Sequence, residues 1–397
     1  MGPLSGLRVL ELGNMIAAPT AGCLMSDFGA HVVKVEQPGV GDDLRTWTPM
    51  KDGVPLWWKV TNRNKHLITL NLRRPEGQEL CRRMIDRFDI LIENFRPGTM
   101  ERWGLGYDNL SSYNPKLVMV RISGYGQTGP YAKRAGYGTV AEAMSGVPSF
   151  TGFPDAPPAL SAFPLVDSLA GLFAVQSALM AIYERDVAGS GQGQVVDVSL
   201  FESMFRLVDS QVIGYDQLGI VKPRNGNRMA EDSPRNTYRT KDGEYVAISA
   251  GSQRTFSRLA HAIGRPELNS DPRFLSNELR VENADVLDGT VASWFQDQTL
   301  DAAMTQLEAG DVIAGPVYDV RRIFDDPHYA AREDVVSVPD ADFGNVKMQG
   351  VIPKFSRTPG AVRHSGGRIG EGNEHLYCEE LGLTREHLDM LMTEGVI

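Results

Sequence analysis

Asp167 stands in the stretch SAFPLVDSLAGLFAVQSAL, with apolar residues on both sides and a helical pattern just after it. Aspartate is a favoured helix N-cap, since its carboxylate accepts hydrogen bonds from the first free backbone N–H groups. A helix N-terminus also keeps a carboxylate ionised. Capping and chemistry are therefore compatible at this position. With a pKa of ~3.9, an aspartate is anionic at neutral pH and needs no auxiliary base to attack an activated carbonyl such as a thioester. Other chemistries find less support. The seven histidines, His31, His66, His261, His328, His364, His375 and His387, form no HExxH or Cys/His cluster, so no metal site is expected. Cys23, Cys81 and Cys378 are widely spaced and odd in number, which fits free, inert thiols in a reducing cytoplasm. There is no GxSxG elbow and no Walker loop.

The second chemical signal is charge. The chain has a net charge of −10, which argues against a general nucleic-acid binder. Yet between Arg45 and Arg134 there are 16 Lys/Arg against 8 Asp/Glu. A basic region inside an acidic protein suits a small polyanion. The plainer reading, that Arg82, Arg83 and Arg87 solvate one helix face, covers those three only. No apolar stretch is expected to approach the ~20 residues that span a bilayer, and the N-terminus lacks a charged-then-apolar export signal. A soluble cytoplasmic protein with no membrane partner is the expectation.

These residues need a scaffold, and the first half alternates strand and helix patterns as an α/β fold with a parallel sheet does. The opening, PLSGLRVLELGNMIAAPTAGCLMSDFGAHVVKVEQPGVGD, reads as strand, tight turn, helix and strand. Its turn, GNMIAAPTAG, fails the GxGxxG spacing of a dinucleotide site. Pro75 to Phe88 reads as a helix, with Leu80, Met84 and Ile85 on one face. DILIENF and LVMVRIS read as buried strands. GYGQTGP (124–130) is a loop at a strand's carboxyl end, where open α/β sheets bind ligands. Ser168 to Tyr183 reads as a helix, QVVDVS (194–199) as a strand and Leu200 to Leu218 as one long helix. The polar stretch from 219 to 235 reads as a linker. NTYRT, a Lys241-Asp242-Gly243 turn and EYVAISA then predict a hairpin. Helical patterns follow around Phe256–Ile263, Val281–Phe295 and Leu300–Ala309. The tail, PKFSRTPG and HSGGRIGEGN, reads as extended.

Four blocks together resemble the family III CoA transferases, the group that also holds formyl-CoA and carnitine CoA transferases and α-methylacyl-CoA racemases. They are the opening, NRNKHLITLNLRRPEG, ENFRPGTMERWGLGYDNL with GYGQTGPYAKRAGYG, and the Asp167 segment with GQGQVVDVSLFE. The resemblance implies a Rossmann-like large domain built from both chain ends, a smaller α+β domain and an interlocked homodimer. Applied to this chain, it divides into a large CoA-binding domain (1–218), a linker (219–235), a small domain (236–320) and a C-terminal segment (321–397) that returns to the large domain and wraps the partner. It also implies that Asp167 is the catalytic aspartate. Leu70, Asn71, Leu72, Arg73, Asn94, Phe95 and Arg102 match the positions that hold CoA, and Tyr137, in a further matched block, is assigned to the CoA site with them. Arg73 and Arg102 can pair with phosphate, and Phe95 offers the adenine an apolar surface. Backbone N–H groups around Ile16, Ala17 and Ala18 suit an oxyanion. CoA and acyl-CoA are then substrates, and no tightly bound cofactor is needed.

Departures from the pattern narrow the reading. Racemases carry a His-Asp pair where this chain has Tyr137 and Gly138, so the base that moves an α-proton is missing. Formyl-CoA transferases carry a glutamine near Ile16, a glutamate near Gly138 and a glycine-rich loop where NRMAEDSPRN stands. An arginine used by some relatives after the second strand is Gln37. The expectation is CoA transfer to a small carboxylic acid, with a dicarboxylate such as succinate or mesaconate favoured. Arg45, Arg228 and Arg235 are candidates for clamping its distal carboxylate. An acyl-CoA racemase or isomerase, a non-catalytic CoA-binding protein and, more distantly, a dinucleotide-dependent oxidoreductase stay open.

Overall fold

The computed structural model describes residues 2–397. Two compact units divide the chain: one holds the described residues up to Val147 with Leu160–Val212 and His328–Ile397, the other Pro148–Ala159 and Ile213–Pro327. Residues 148–159, expected with the first domain, thus group with the second unit.

The first unit is organised by six parallel strands: β1 (Arg8–Glu11), β2 (His31–Glu36), β3 (His66–Thr69), β4 (Ile90–Glu93), β5 (Val118–Ser123) and β6 (Val195–Ser199). Their spatial order is β3-β2-β1-β4-β5-β6, which is doubly wound about β1. The central strands are buried and carry apolar residues on both faces, because both faces of such a sheet are covered. Successive residues serve opposite faces. Val9, Val32, Ile90 and Ile92 pack on one side, against helices α1 (Ala17–Asp27) and, further along the chain, Leu165–Tyr183. Leu10, Val33 and Leu91 pack on the other, against α2 (Pro75–Met84) and the chain's last residues, Leu376 to Ile397. The C-terminal segment is tied down further: Asn71 N–H donates to Val396 O at 2.8 Å, and Thr69 N–H to Asn373 Oδ1 at 2.8 Å.

Along the second half of the first unit run α3 (Gly138–Met144), α4 (Leu165–Tyr183), α5 (Leu200–Phe205) and the start of α6 (Gln211–Leu218). The single long helix expected over 200–218 is two helices. The chain breaks between them, where Asp209 takes φ +54°, a left-handed conformation that a helix cannot hold. Helix α4 begins at Leu165, three residues before the expected start. With the turn that follows it, Leu165–Ala188 is 24 residues long and apolar enough by length and composition to cross a bilayer. That corrects the expectation that no stretch approaches such a length. Ala170, Ala174, Ala178 and Ala181 form its buried stripe, while Leu172, Met180 and Tyr183 are exposed.

The second unit has a three-stranded antiparallel sheet: β7 (Arg235–Arg239) and β8 (Tyr245–Ser249) form the hairpin read from the sequence, and β9 (Ala314–Pro316) pairs with β8. Tyr238, Val246 and Ile248 face α7 (Gln253–Ala262), α8 (Ala284–Gln296) and α9 (Leu300–Ala309) in one core. Ser252 and Thr299 cap α7 and α9 with their hydroxyls, as residues of this type do. The stretch expected as a linker folds back into this unit, with Gly226 bridged to Gly152 and Met229 to Asp232. A second hairpin, β10 (Val335–Asp340) with β11 (Gly344–Gln349), lies in the tail of the first unit and was not expected. The residues from 353 to 371 lack regular secondary structure, in keeping with the extended reading.

Candidate active site

Asp167 is the third residue of α4, not its cap; Pro164 holds the cap position and has no side-chain hydrogen bond to offer. The carboxylate therefore lies in the helix's first turn, still within reach of its dipole. It is partly buried, and burial pushes its carboxyl up from the usual 3.8 to about 6, with its own backbone N–H pulling the other way. No cation or side-chain donor offsets that burial among the described residues. Gly138, the first residue of α3, gives the carboxylate its space: a Cβ on Gly138 would stand 2.1 Å from Asp167 Oδ2. Tyr137 caps α3 beside it and is 73% exposed.

A cavity of about 190 Å³ opens at the carboxyl ends of the strands around β1. Strand order reverses there, which is where sheets of this kind bind ligands. Of the residues assigned to CoA, Leu70, Asn71, Leu72, Arg73 and Phe95 line it. Asn94, Arg102 and Tyr137 do not, nor do Ile16, Ala17 and Ala18. Asn94 faces the β1–α1 loop instead, donating to Asn14 O and accepting from Asn14 N–H, each at 2.8 Å. Arg102 turns back to Thr99 Oγ1 at 2.9 Å. Its neighbour Trp103 lines the cavity and meets Phe95 edge to face at 5.1 Å. Gln37 lines it too, which leaves Arg73 as the cation on its wall. Sequence reading missed Trp103, Gly13 and Asn14; the ENF…RW spacing was the available signal for Trp103.

The β1–α1 loop connects the two places. Gly13 and Asn14 line the cavity, and three residues later α1 begins. No side chain caps α1, Pro19 has no N–H, and the amides of Ala17 and Ala18 have no partner among the described residues. The first turn of α1 then packs on α4. A Cβ on Gly171, one turn after Asp167, would stand 2.9 Å from the Thr20 side chain and 3.1 Å from Ala17 O. Buried charges hold the loop from beneath. Lys34 Nζ donates to Gly13 O and Lys65 Nζ to Pro19 O, both at 2.8 Å. Asp42 accepts from Met15 N–H at 3.1 Å.

Several of the cations between Arg45 and Arg134 are answered by carboxylates, some buried and some exposed. Arg63 pairs with Asp27 at 2.6 Å, Lys59 with Asp342 at 2.6 Å and Arg121 with Glu101 at 2.6 Å and Glu93 at 2.8 Å. Arg121 only partly offsets burial at Glu93, whose carboxyl is pushed up to about 7. Of the three clamp candidates, Arg45 is held by Glu36 and stacked on Trp58 at 3.7 Å, and Arg228 is held by Asp285 and Asp288. Arg235 alone keeps its guanidinium clear of carboxylates among the described residues. Burial pushes the thiols of Cys23 and Cys81 up to about 12, which makes them poor nucleophiles.

The pattern of CoA-transferase family III matches residues 4–373. The chain is 44% identical to succinyl-CoA–D-citramalate CoA-transferase of Chloroflexus aurantiacus, over 100% of this chain and 98% of that one. It is 39% identical to the β subunit of succinyl-CoA–L-malate CoA-transferase from the same organism, again over 100% and 98%. Among solved structures, a CaiB/BaiF family protein from Brucella suis superposes with a TM-score of 0.85 at 33% identity, covering 95% of this chain and 99% of that one.

Proposed function

The chain belongs to CoA-transferase family III, and from that premise we propose that it moves CoA between an acyl-CoA and a small dicarboxylic acid with Asp167 as nucleophile. The dicarboxylate class is supported by the succinate, citramalate and malate named for its relatives. The observation that carries the nucleophile is the carboxylate of Asp167: partly buried, without a countercharge, and held against Gly138 at the head of α4.

In the first step an Asp167 oxygen attacks the thioester carbonyl. The C–S bond breaks, CoA leaves as thiolate, and an aspartyl-acyl anhydride forms. The thiolate then attacks the aspartyl carbonyl and expels the donor acid, leaving an aspartyl-CoA thioester. An acceptor carboxylate attacks that thioester, again through an anhydride and free thiolate. The thiolate finally takes the acceptor's acyl group and restores Asp167. No net proton is gained or lost, so neither a general base nor a metal is required. The amides of Ala17 and Ala18 are suited to the oxyanions of these steps. Arg73, Phe95 and Trp103 suit the phosphate and adenine parts of CoA. Tyr137 and Gly138 provide no histidine to move an α-proton, which favours transfer over racemisation.

A homodimer accompanies this reading. The apolar exposed face of α4 and the wholly unburied α6, with Val212, Ile213, Tyr215 and Leu218, support a second copy as its cover. Buried free thiols at Cys23 and Cys81 support a reducing compartment, the cytoplasm. Denatured-protein mass spectrometry after mixing with succinyl-CoA tests the nucleophile. An adduct mapping to Asp167, and at least about 10⁴-fold lower transfer activity in Asp167→Ala, are expected. Full activity in that variant would refute the reading.

A further inference from the structure

The three-stranded sheet of the second unit buries one face and leaves the other uncovered by its core. On the inner face, Tyr238, Val246 and Ile248 are buried. The register places Arg235 opposite Ser249 and Thr237 opposite Ala247, all on the outer face, with Gly315 next to Ala247. Apart from Arg235, these outer residues are small and uncharged where an exposed strand face usually carries long polar side chains. Above this floor pass Phe150 and the Gly226–Met229 segment. Between them lies a cavity of about 680 Å³, large enough for a small organic ligand.

Three cations line this cavity, and their states differ. Lys222 pairs with Glu231 at 3.1 Å. Arg228 is shared by Asp285 at 2.7 Å and Asp288 at 2.6 Å. Arg235 has no carboxylate within 4.0 Å among the described residues. Its one hydrogen bond, from Nη1 to Asn227 O at 2.7 Å, aims the guanidinium without neutralising it. Asn227 serves Thr237 too, donating from Nδ2 to Thr237 Oγ1 at 2.7 Å. That hydroxyl keeps its own proton to give to an acceptor. A single uncompensated guanidinium next to a free O–H donor matches one carboxylate in charge and geometry; a phosphate dianion would call for a second cation. Phe150, Met229 and Ile313 give the rest of the cavity an apolar wall for a short carbon chain.

We propose that this cavity binds a small dicarboxylic acid by one of its carboxylates, with Arg235 as the principal contact and Thr237 as the second donor. The choice of a dicarboxylate rests on the transferase reading; the existence of a carboxylate site does not. Arg235 is exposed and its removal opens no core, so variants at this position should fold, which a thermal melt verifies.

Calorimetric titration of the full-length protein with succinate, butyrate and inorganic phosphate tests the site. Succinate and butyrate, each of which presents a carboxylate to Arg235, are expected to bind the wild type more tightly than phosphate. Arg235→Ala and Arg235→Gln should each weaken succinate about 10- to 100-fold, with partial recovery in Arg235→Lys. Unchanged succinate affinity in Arg235→Ala, no succinate binding to the wild type, or tighter binding of phosphate than of succinate would overturn the proposal. Asp167→Ala separates the two readings. It should bind succinate and form no CoA adduct. Succinate binding that depends on Arg235, in a wild-type protein that forms no adduct, would sink the nucleophile and leave this site standing.

Discussion

Glu11 and Asp167 are both acids of the first unit, held in opposite ways. Glu11 is fully buried with a lysine on each oxygen, Lys34 at 3.0 Å and Lys65 at 2.8 Å, and Lys34 also reaches Asp42 at 2.7 Å. Burial pulls the Lys34 ammonium down, but Asp42 and Glu11 outweigh it and hold the group above the usual lysine range. Lys65 has only Glu11 as a close carboxylate, so burial wins and holds it below that range. At Asp167 the chain provides burial and no cation, and the carboxyl rises to about 6. The same unit leaves the Asp167 carboxylate, at the head of a helix, with no cation beside it. Matched charge fixes the β1–α1 loop; unmatched charge keeps an oxygen nucleophilic.

The largest effect should come from breaking the matched side. Glu11→Gln leaves two buried lysines short of a partner and should lower unfolding stability by about 3 kcal/mol or more in a denaturant titration. A loss below about 1 kcal/mol would mean that the cluster is not what holds the loop. On the unmatched side, Gly138→Ala puts a methyl where the Asp167 carboxylate sits. Transfer activity should fall about 100-fold with the melting temperature little changed.

Asp167→Asn gives a smaller effect of opposite sign. In the folded chain the carboxyl titrates near 6, against 3.8 when unperturbed. The folded state therefore binds this proton first as pH falls, and the ionised group costs stability above pH 6. At pH 7 Asp167→Asn should be more stable than wild type by about 1–3 kcal/mol while inactive, and that gain should vanish towards pH 4. The same ionisation gives wild-type kcat/KM an acid limb that falls as pH drops through about 6. A variant less stable than wild type at pH 7 would place a hidden cation beside Asp167.

Much of this was legible from residue pattern. Runs such as VMVRIS and HVVKVE are buried on both faces and could be little else than parallel strands, and the Asp242-Gly243 turn marked its hairpin. Asp167 was legible as an acid in apolar surroundings, although its place inside the helix was not, because Pro164 and Leu165 carry no cap signal. Pairing over long sequence distances was beyond reach. Nothing local says that Arg45 meets Glu36, that Arg228 meets Asp288, or that Asn94 ties a loop 80 residues earlier. The count of basic residues thus pointed to a polyanion that the interior partly answers. The break at Asp209 was hidden for a similar reason, since the flanking residues all tolerate a helix.

Covalent participation of Asp167 is tested most directly by following oxygen. With succinyl-CoA as donor and an acceptor acid labelled with heavy oxygen in its carboxylate, each turnover should leave one labelled oxygen on the Asp167 carboxylate, read by mass spectrometry of its peptide. An Asp167 peptide that stays unlabelled after many turnovers would contradict the anhydride route and return this residue to the role of a first-turn carboxylate.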